Sequence, residues 1–241
     1  MLYEKMNNSK KEFVLYKGEK IEVKNGELVL PYELERLNEV EGLEMLTNLK
    51  KLHYDGIYFK KLENLDNLKN LESLIIQGSQ YLTKIENLDN LVNLKVLDLN
   101  DNNIAEISNL EHLRNLVILD LGKPEEIEEN YITEIKGLDN LVNLKELNLE
   151  HNRIKVIEGL DALTNLKILN IIYNQIEEIS GLDNLVNLEE LYLAYNKITE
   201  IKGLNNLNNL KTLWIENNGP FDSNSIKILE SMKKSGIYVS Y

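Results

Sequence analysis

The 241-residue chain has no cysteine. Disulfides, thiolate nucleophiles and thiolate metal sites are excluded, and a reducing compartment suits the composition. No apolar run approaches the ~20 residues that a membrane-spanning helix needs. The first residues, 1–11, are polar and carry no apolar segment of the kind a secretion signal requires. A cytoplasmic protein is therefore expected. No glycine-rich loop of the type that cradles phosphates is present.

Positive charge is also short. Lys and Arg number 27 against 40 Asp and Glu, for a net charge of −13 and a pI near 4.8. Nucleic-acid binding rests on cations replacing counterions at phosphates, and acidic membranes repel an acidic protein, so neither partner is expected. The electrostatically favoured partner is a protein with a basic surface.

What the chain does have is a repeat. An Asn-Leu step ends at Leu49, Leu71, Leu94, Leu116, Leu144, Leu166, Leu188 and Leu210, with spacings of 22, 23, 22, 28, 22, 22 and 22. Self-similarity at one period over eight units signals a solenoid. Within a unit, Leu147 and Leu149 alternate at the period of a strand. The asparagine that follows (Asn102, Asn152, Asn174, Asn196, Asn218) turns the chain inward, and its amide can satisfy backbone groups that no strand ladder reaches. An Ile-x-x-Ile step such as Ile154 and Ile157 supplies the next inward contacts, and a Gly-Leu-x-x-Leu step opens a short helical or 3₁₀ return. No repeat can bury its own leucines, so stacking supplies the core.

The fold class expected is an α/β solenoid: a right-handed superhelix with a parallel β-sheet on its concave side and short helical or 3₁₀ segments on its convex side. Residues 1–41 read as an N-terminal tail and cap. A hairpin is expected over Ile21–Leu30 around Asn25 and Gly26, a pair suited to a tight turn. Residues 42–219 hold the eight repeats. Ile57 and Ser79 stand where the turn asparagine is missing, and six extra residues fall within 123–130. Residues 220–241 read as a C-terminal cap. Asp222 or Ser223 starts a helix that runs to about Lys234, Gly236 ends it, Ile226, Leu229 and Met232 cover the core, and a short strand follows over Ile237–Tyr241. With both ends covered, a monomer is expected.

This unit resembles the leucine-rich-repeat superfamily, whose core reads L-x-x-L-x-L-x-x-N-x-L/I. The step through Ile154, Ile157, Gly159 and Leu160, and again Ile198, Ile201, Gly203 and Leu204, is similar to two branches. One is the regulatory subunit of type-1 protein phosphatase; the other is the internalin type of bacterial adhesin. The resemblance implies protein binding on the concave face, with regulation of an enzyme such as a phosphatase, or adhesin-like receptor binding, as the alternatives.

Strand residues between the leucines face outward and are the positions the fold leaves open. The central row reads His53, Ile75, Asp98, Asp120, Asn148, Asn170, Tyr192 and Trp214. Tyr192 and Trp214, the chain's one tryptophan, are expected side by side with Ile172, Tyr173 and Tyr195. Glu150, Glu190 and Glu216 form an acidic rim, with Asn148 and Asn170 alongside. An aromatic patch of this kind suits a partner-binding hot spot. Asp98 and Asp120 are adjacent carboxylates with no accompanying cation-binding loop motif. The three histidines, His53, His112 and His151, do not converge, so no catalytic pair, metal site or cofactor is expected.

Overall fold

The computed structural model describes residues 12–123 and 131–241. The tail 1–11 and, apart from Lys123, the insertion within 123–130 lie outside the described residues. Four short strands build the N-terminal end: β1 (Phe13–Tyr16), β2 (Glu19–Glu22), β3 (Glu27–Val29) and β4 (Val40–Glu41). Eight repeat strands follow: β5 (Lys51–Asp55), β6 (Ser73–Gln77), β7 (Val96–Asp98), β8 (Ile118–Asp120), β9 (Glu146–Asn148), β10 (Ile168–Asn170), β11 (Glu190–Tyr192) and β12 (Thr212–Trp214). Helix α1 (Ser223–Lys234) and β13 (Tyr238–Ser240) close the C-terminal end.

The main sheet is parallel and ten-stranded, in the order β13-β12-β11-β10-β9-β8-β7-β6-β5-β3. Each strand pairs with its equivalent one repeat on: Leu97 with Leu119, Leu147 with Leu169, Leu191 with Leu213. This register stacks the leucines into one continuous buried column, which is how units too small to fold alone acquire a core. Among the described residues the convex returns are 3₁₀ helix only at Leu37–Glu39 and Leu43–Met45. Elsewhere they are consecutive three-residue turns, such as Leu141 N–H to the Leu138 carbonyl and Leu144 N–H to the Leu141 carbonyl, both 2.9 Å.

Two asparagine ladders hold the coils together. The buried ladder is the expected one. Asn174 donates to the Leu149 carbonyl of the previous coil at 2.9 Å and to its own coil's Ile171 and Ile172, and its oxygen accepts from Ile154 N–H at 2.9 Å. Asn102, Asn152, Asn196 and Asn218 repeat the arrangement. Where the asparagine is missing, other groups serve. The Ser79 hydroxyl donates to the Phe59 carbonyl, and the buried Tyr54 phenol donates to Tyr32 O at 3.0 Å while accepting from Tyr58 N–H. The second ladder is the asparagine of the Asn-Leu step itself. Asn70, Asn93, Asn115, Asn143, Asn165, Asn187 and Asn209 each donate to a carbonyl of the preceding coil at 2.8–2.9 Å. The step that marks the register in the sequence is thus a physical tie between coils.

The turn before each return requires positive φ. Asn64, Asn87 and Asn109 fill it in the early repeats; Gly137, Gly159, Gly181 and Gly203 fill it later. At Gly181 a Cβ would sit 2.4 Å from the Ile157 carbonyl oxygen at φ +65°. Gly181→Ala is expected to lower stability by about 1–3 kcal/mol, read as a fall in the denaturation midpoint. An unchanged midpoint would refute the crowding.

The N-terminal end departs from expectation. The turn at Asn25 and Gly26 closes, with reciprocal 2.9 Å bonds between Lys24 and Glu27. Its two arms do not continue as one hairpin, however. β2 pairs back onto β1, which also carries β4, while β3 joins the main sheet parallel to β5. Burial explains the switch: Leu28 takes the inward leucine position beside Leu52, and both are fully buried. At the other end Asp222 caps α1, accepting from Ser225 N–H at 2.7 Å. Leu229 is fully buried and Met232 partly, but Ile226 is exposed. The helix is rotated so that Ser225 is buried, where its hydroxyl accepts from Ile201 N–H at 2.9 Å. That N–H would otherwise be orphaned at the open end of the stack, a penalty of the same order as leaving one isoleucine exposed.

Candidate functional site

The register brings Asn170, Tyr192 and Trp214 side by side across β10, β11 and β12. The Tyr192 and Trp214 rings lie 6.0 Å apart between centroids with their planes inclined at 66°. Trp214 keeps 38% of its surface exposed, so the C-terminal cap does not cover it. Ser240 of β13 is its lateral neighbour. Ile172 is only 8% exposed and Ala194 is fully buried, so the row beyond Tyr192 contributes a floor rather than a contact surface.

The acidic rim is tighter than the sequence suggests. Glu190 stands two residues before Tyr192, and its carboxylate accepts from the Tyr192 hydroxyl. Glu216 stands two residues after Trp214 and accepts from the Ser240 hydroxyl at 2.9 Å. Glu150 shares the Glu216 row but lies three strands away, about 14 Å at ~4.8 Å per strand. The aromatic pair is therefore bordered by Glu190 and Glu216. The bond to Glu190 favours the protonated phenol and, with burial, pushes Tyr192 up to about 12. Because the folded value is raised, this bond stabilises the fold below the usual tyrosine range near 10 and is lost as pH climbs through about 12. Ultraviolet titration is expected to show two late-ionising tyrosines, Tyr192 and the buried Tyr54, of which one returns to the ordinary range in Glu190→Gln. A late phase of unchanged amplitude in that variant would show the cause to be wrong.

Tyr173 and Tyr195 lie at the strand ends, not on the central face. Both adopt positive φ, 50° and 54°. They form a stacked column with His151: the rings of His151 and Tyr173 are 4.1 Å apart, and those of Tyr173 and Tyr195 are 4.0 Å apart. Left-handed backbone disfavours bulky residues by about 1–2 kcal/mol, which ring stacking offsets in part. Nothing in the sequence announces this column except the tyrosine before the ladder asparagine in two successive units. Tyr32, Tyr58, Tyr81 and Tyr131 are also exposed, each in a loop that follows or precedes a strand rather than on the concave rows.

The middle of the concave face is a lattice of amides and carboxylates. Gln77 donates to Asp98 at 2.6 Å, Asn100 and Asn148 donate to Asp120 at 3.3 and 3.0 Å, and Asn170 donates to Glu150 at 2.9 Å. Four central-row side chains also accept from the backbone two residues on: Asp98 from Asn100, Asp120 from Gly122, Asn148 from Glu150, Asn170 from Ile172. Asn148 and Asn170 thus close the strand ends as well as facing the groove. Burial pushes the Asp120 carboxyl up, against the bonds it accepts. Among the described residues no group of three or more His, Asp and Glu converges to hold a metal ion. His53, His112 and His151 stand in β5, on a convex return and after β9.

Charge is segregated around the coil. Across the three concave rows from β6 to β12 there is no Lys or Arg, while Asp98, Asp120, Glu146, Glu150, Glu190 and Glu216 are all carboxylates. The position just before the strand carries lysine in five of the eight repeats, Lys50, Lys95, Lys145, Lys167 and Lys211, and Glu72, Val117 or Glu189 in the others. Glu72 bridges Lys50 and Lys95 at 2.7 and 2.6 Å, and Glu189 bridges Lys167 and Lys211. These lysine contacts pull both bridging carboxyls down to about 2.

The model of the family Leucine Rich repeats (2 copies) matches residues 92–140, 142–184 and 186–231. No curated protein matches the chain. Among solved structures, internalin C2 from Listeria monocytogenes is 28% identical with a TM-score of 0.66, over 82% of this chain and 83% of that one. An internalin (inlF) from the same species is 24% identical with a TM-score of 0.60, over 83% of this chain and 65% of that one. The TLR13–ssRNA13 complex is 26% identical with a TM-score of 0.58, over 79% of this chain and 32% of that one.

Proposed function

This chain belongs to the leucine-rich-repeat family, and on that footing we propose that it is a non-enzymatic scaffold that binds a partner protein on its concave face, anchored at Tyr192 and Trp214. The observation that carries the reading is a tryptophan left 38% exposed beside a tyrosine on the concave sheet. A large aromatic side chain left more than a third exposed on a sheet face is a common kind of interface anchor. The carboxylates of the same face favour a partner with a basic surface and disfavour a phosphate backbone. One similar structure, the TLR13–ssRNA13 complex, contains RNA, but the charge of this concave face argues against carrying that property over. Similarity to internalin C2 favours the internalin branch over the phosphatase regulator as the nearer model of the scaffold.

The test is capture from an extract of the source cells on immobilised chain. Wild type and the convex-face variant Asp139→Ala are expected to retain the same protein, and Trp214→Ala to lose it. Equal retention by all three would sink the concave-face reading.

A further inference from the structure

We propose that the corner between Tyr192 and Trp214 receives a cationic side chain, an arginine or lysine of the partner, rather than an apolar one. The inference rests on the concave-face reading above and adds the chemistry of the anchor. Four observations converge on it. The two rings meet edge to face, their planes inclined at 66° with centroids 6.0 Å apart, and form a corner between the exposed Trp214 and the half-buried Tyr192. A cation within about 6 Å of such ring faces is held by their quadrupoles, tryptophan being the strongest.

Second, the Tyr192 hydroxyl donates to the Glu190 carboxylate. A phenol that donates to an anion carries more electron density on its ring, so the face it offers a cation is more negative than that of a free tyrosine. Third, carboxylates stand at both ends of the corner. Glu190 and Glu216 bond to neutral hydroxyls, and among the described residues no Lys, Arg or His pairs with either. Fourth, the chain places its own cations over other rings: Lys20 over Phe13 at 4.5 Å, Arg153 over Tyr131 at 4.9 Å, Lys233 over Tyr241 at 4.0 Å. The Tyr192–Trp214 corner has no such occupant among the described residues, and no Lys or Arg lies on the rows of β6 to β12 to supply one.

An apolar anchor fits less well. Ile172 and Ala194, the aliphatic residues beyond Tyr192, are buried, and Ile168 beside Glu190 is half-buried, so little apolar wall is left for a leucine or phenylalanine to fill. An inserted aliphatic group would also desolvate Glu190 and Glu216 without compensation. A guanidinium satisfies both, stacking on a ring and donating to a carboxylate.

Trp214 is the only tryptophan, so its fluorescence reports on the corner directly. The experiment titrates the full chain with a tetra-arginine peptide and, separately, with its uncharged isostere tetra-citrulline. The expected result is a saturable change in Trp214 emission with tetra-arginine alone. It weakens about tenfold or more in Glu190→Gln/Glu216→Gln and in Tyr192→Leu, and it fades at high salt. Circular dichroism checks that each variant is folded. No saturable change with tetra-arginine overturns the proposal. So does an equal response to tetra-citrulline, or a response that survives the loss of both carboxylates. If the peptide fails while partner capture still depends on Trp214, the cationic anchor falls and the protein-binding reading stands. If both fail, both fall.

Discussion

Replacing Asn174 by alanine is expected to destabilise the protein by about 2–3 kcal/mol, a sizeable share of the 5–15 kcal/mol that a folded domain typically has. The side chain is buried, and its bond to Ile154 N–H has no substitute. Its amide nitrogen serves the carbonyls of Leu149, Ile171 and Ile172, and its oxygen serves Ile154 N–H. Alanine leaves Ile154 N–H a buried orphan, at a cost of about 1–3 kcal/mol, while the three carbonyls each lose one donor and keep another: Asn152 at Leu149, Asn196 at Ile171 and His151 N–H at Ile172. The loss is not confined to one coil, because Leu149 and Ile154 belong to the preceding one. Asn148 provides the contrast. It bonds to Asp120 and to Glu150 N–H, but it is half-buried on the concave face, where water can replace the lost partners. Asn148→Ala is expected to cost about 1 kcal/mol or less. Denaturant unfolding of the two variants decides the matter. If Asn174→Ala is no less stable than Asn148→Ala, the ladder does not hold the coils together as described.

Trp214→Ala is expected to weaken partner binding by about 2 kcal/mol or more, roughly thirtyfold in Kd, with the fold retained. The prediction separates binding from stability because of where the residue sits. Its backbone is in β12, flanked on both sides by β11 and β13, and its strand neighbours Leu213 and Ile215 fill the core. The ring keeps 38% of the residue's surface exposed and meets the Tyr192 ring on the concave side rather than the leucine core. Truncation removes contact area from the partner and little from the core, so the denaturation midpoint should move by less than about 1 kcal/mol. Calorimetry with the captured partner and unfolding of the same variant give the two numbers. An unchanged Kd would remove Trp214 from the interface. A large stability loss would instead assign the ring to the C-terminal cap.

The two predictions fall on asparagine and tryptophan, and the sequence treats these very differently. Asn174 was legible, because a residue that recurs at one position in a 22-residue unit has to serve the unit. The second ladder was present in the same pattern but read only as a register mark. The Asn-Leu step pairs a core leucine with an asparagine whose partner, a carbonyl of the previous coil, has no signature in sequence. The stand-ins in the ladder were legible only in part: Ser79 is placed at the asparagine's position, but its bond and the Tyr54 bond are not, because hydrogen-bond capacity is kept in space and not in residue type. Local signals also misled at the ends. Asn25 and Gly26 make their turn, yet tertiary burial of Leu28 decides which strand the chain joins next.

Repetition is what the sequence by itself determined: the solenoid, the inward leucines, the three outward rows and the pairing of Tyr192 with Trp214. A parallel in-register stack copies one unit's geometry into every other, so position within the period fixes position in space. Tertiary structure alone decided what lies off the period. It set the inclination of the two rings, the tightening of the rim to Glu190 and Glu216, the stacked column of His151, Tyr173 and Tyr195, and the rotation of α1 that buries Ser225. Those depend on side chains meeting across coils, and on the ends where the repeat has no neighbour to copy.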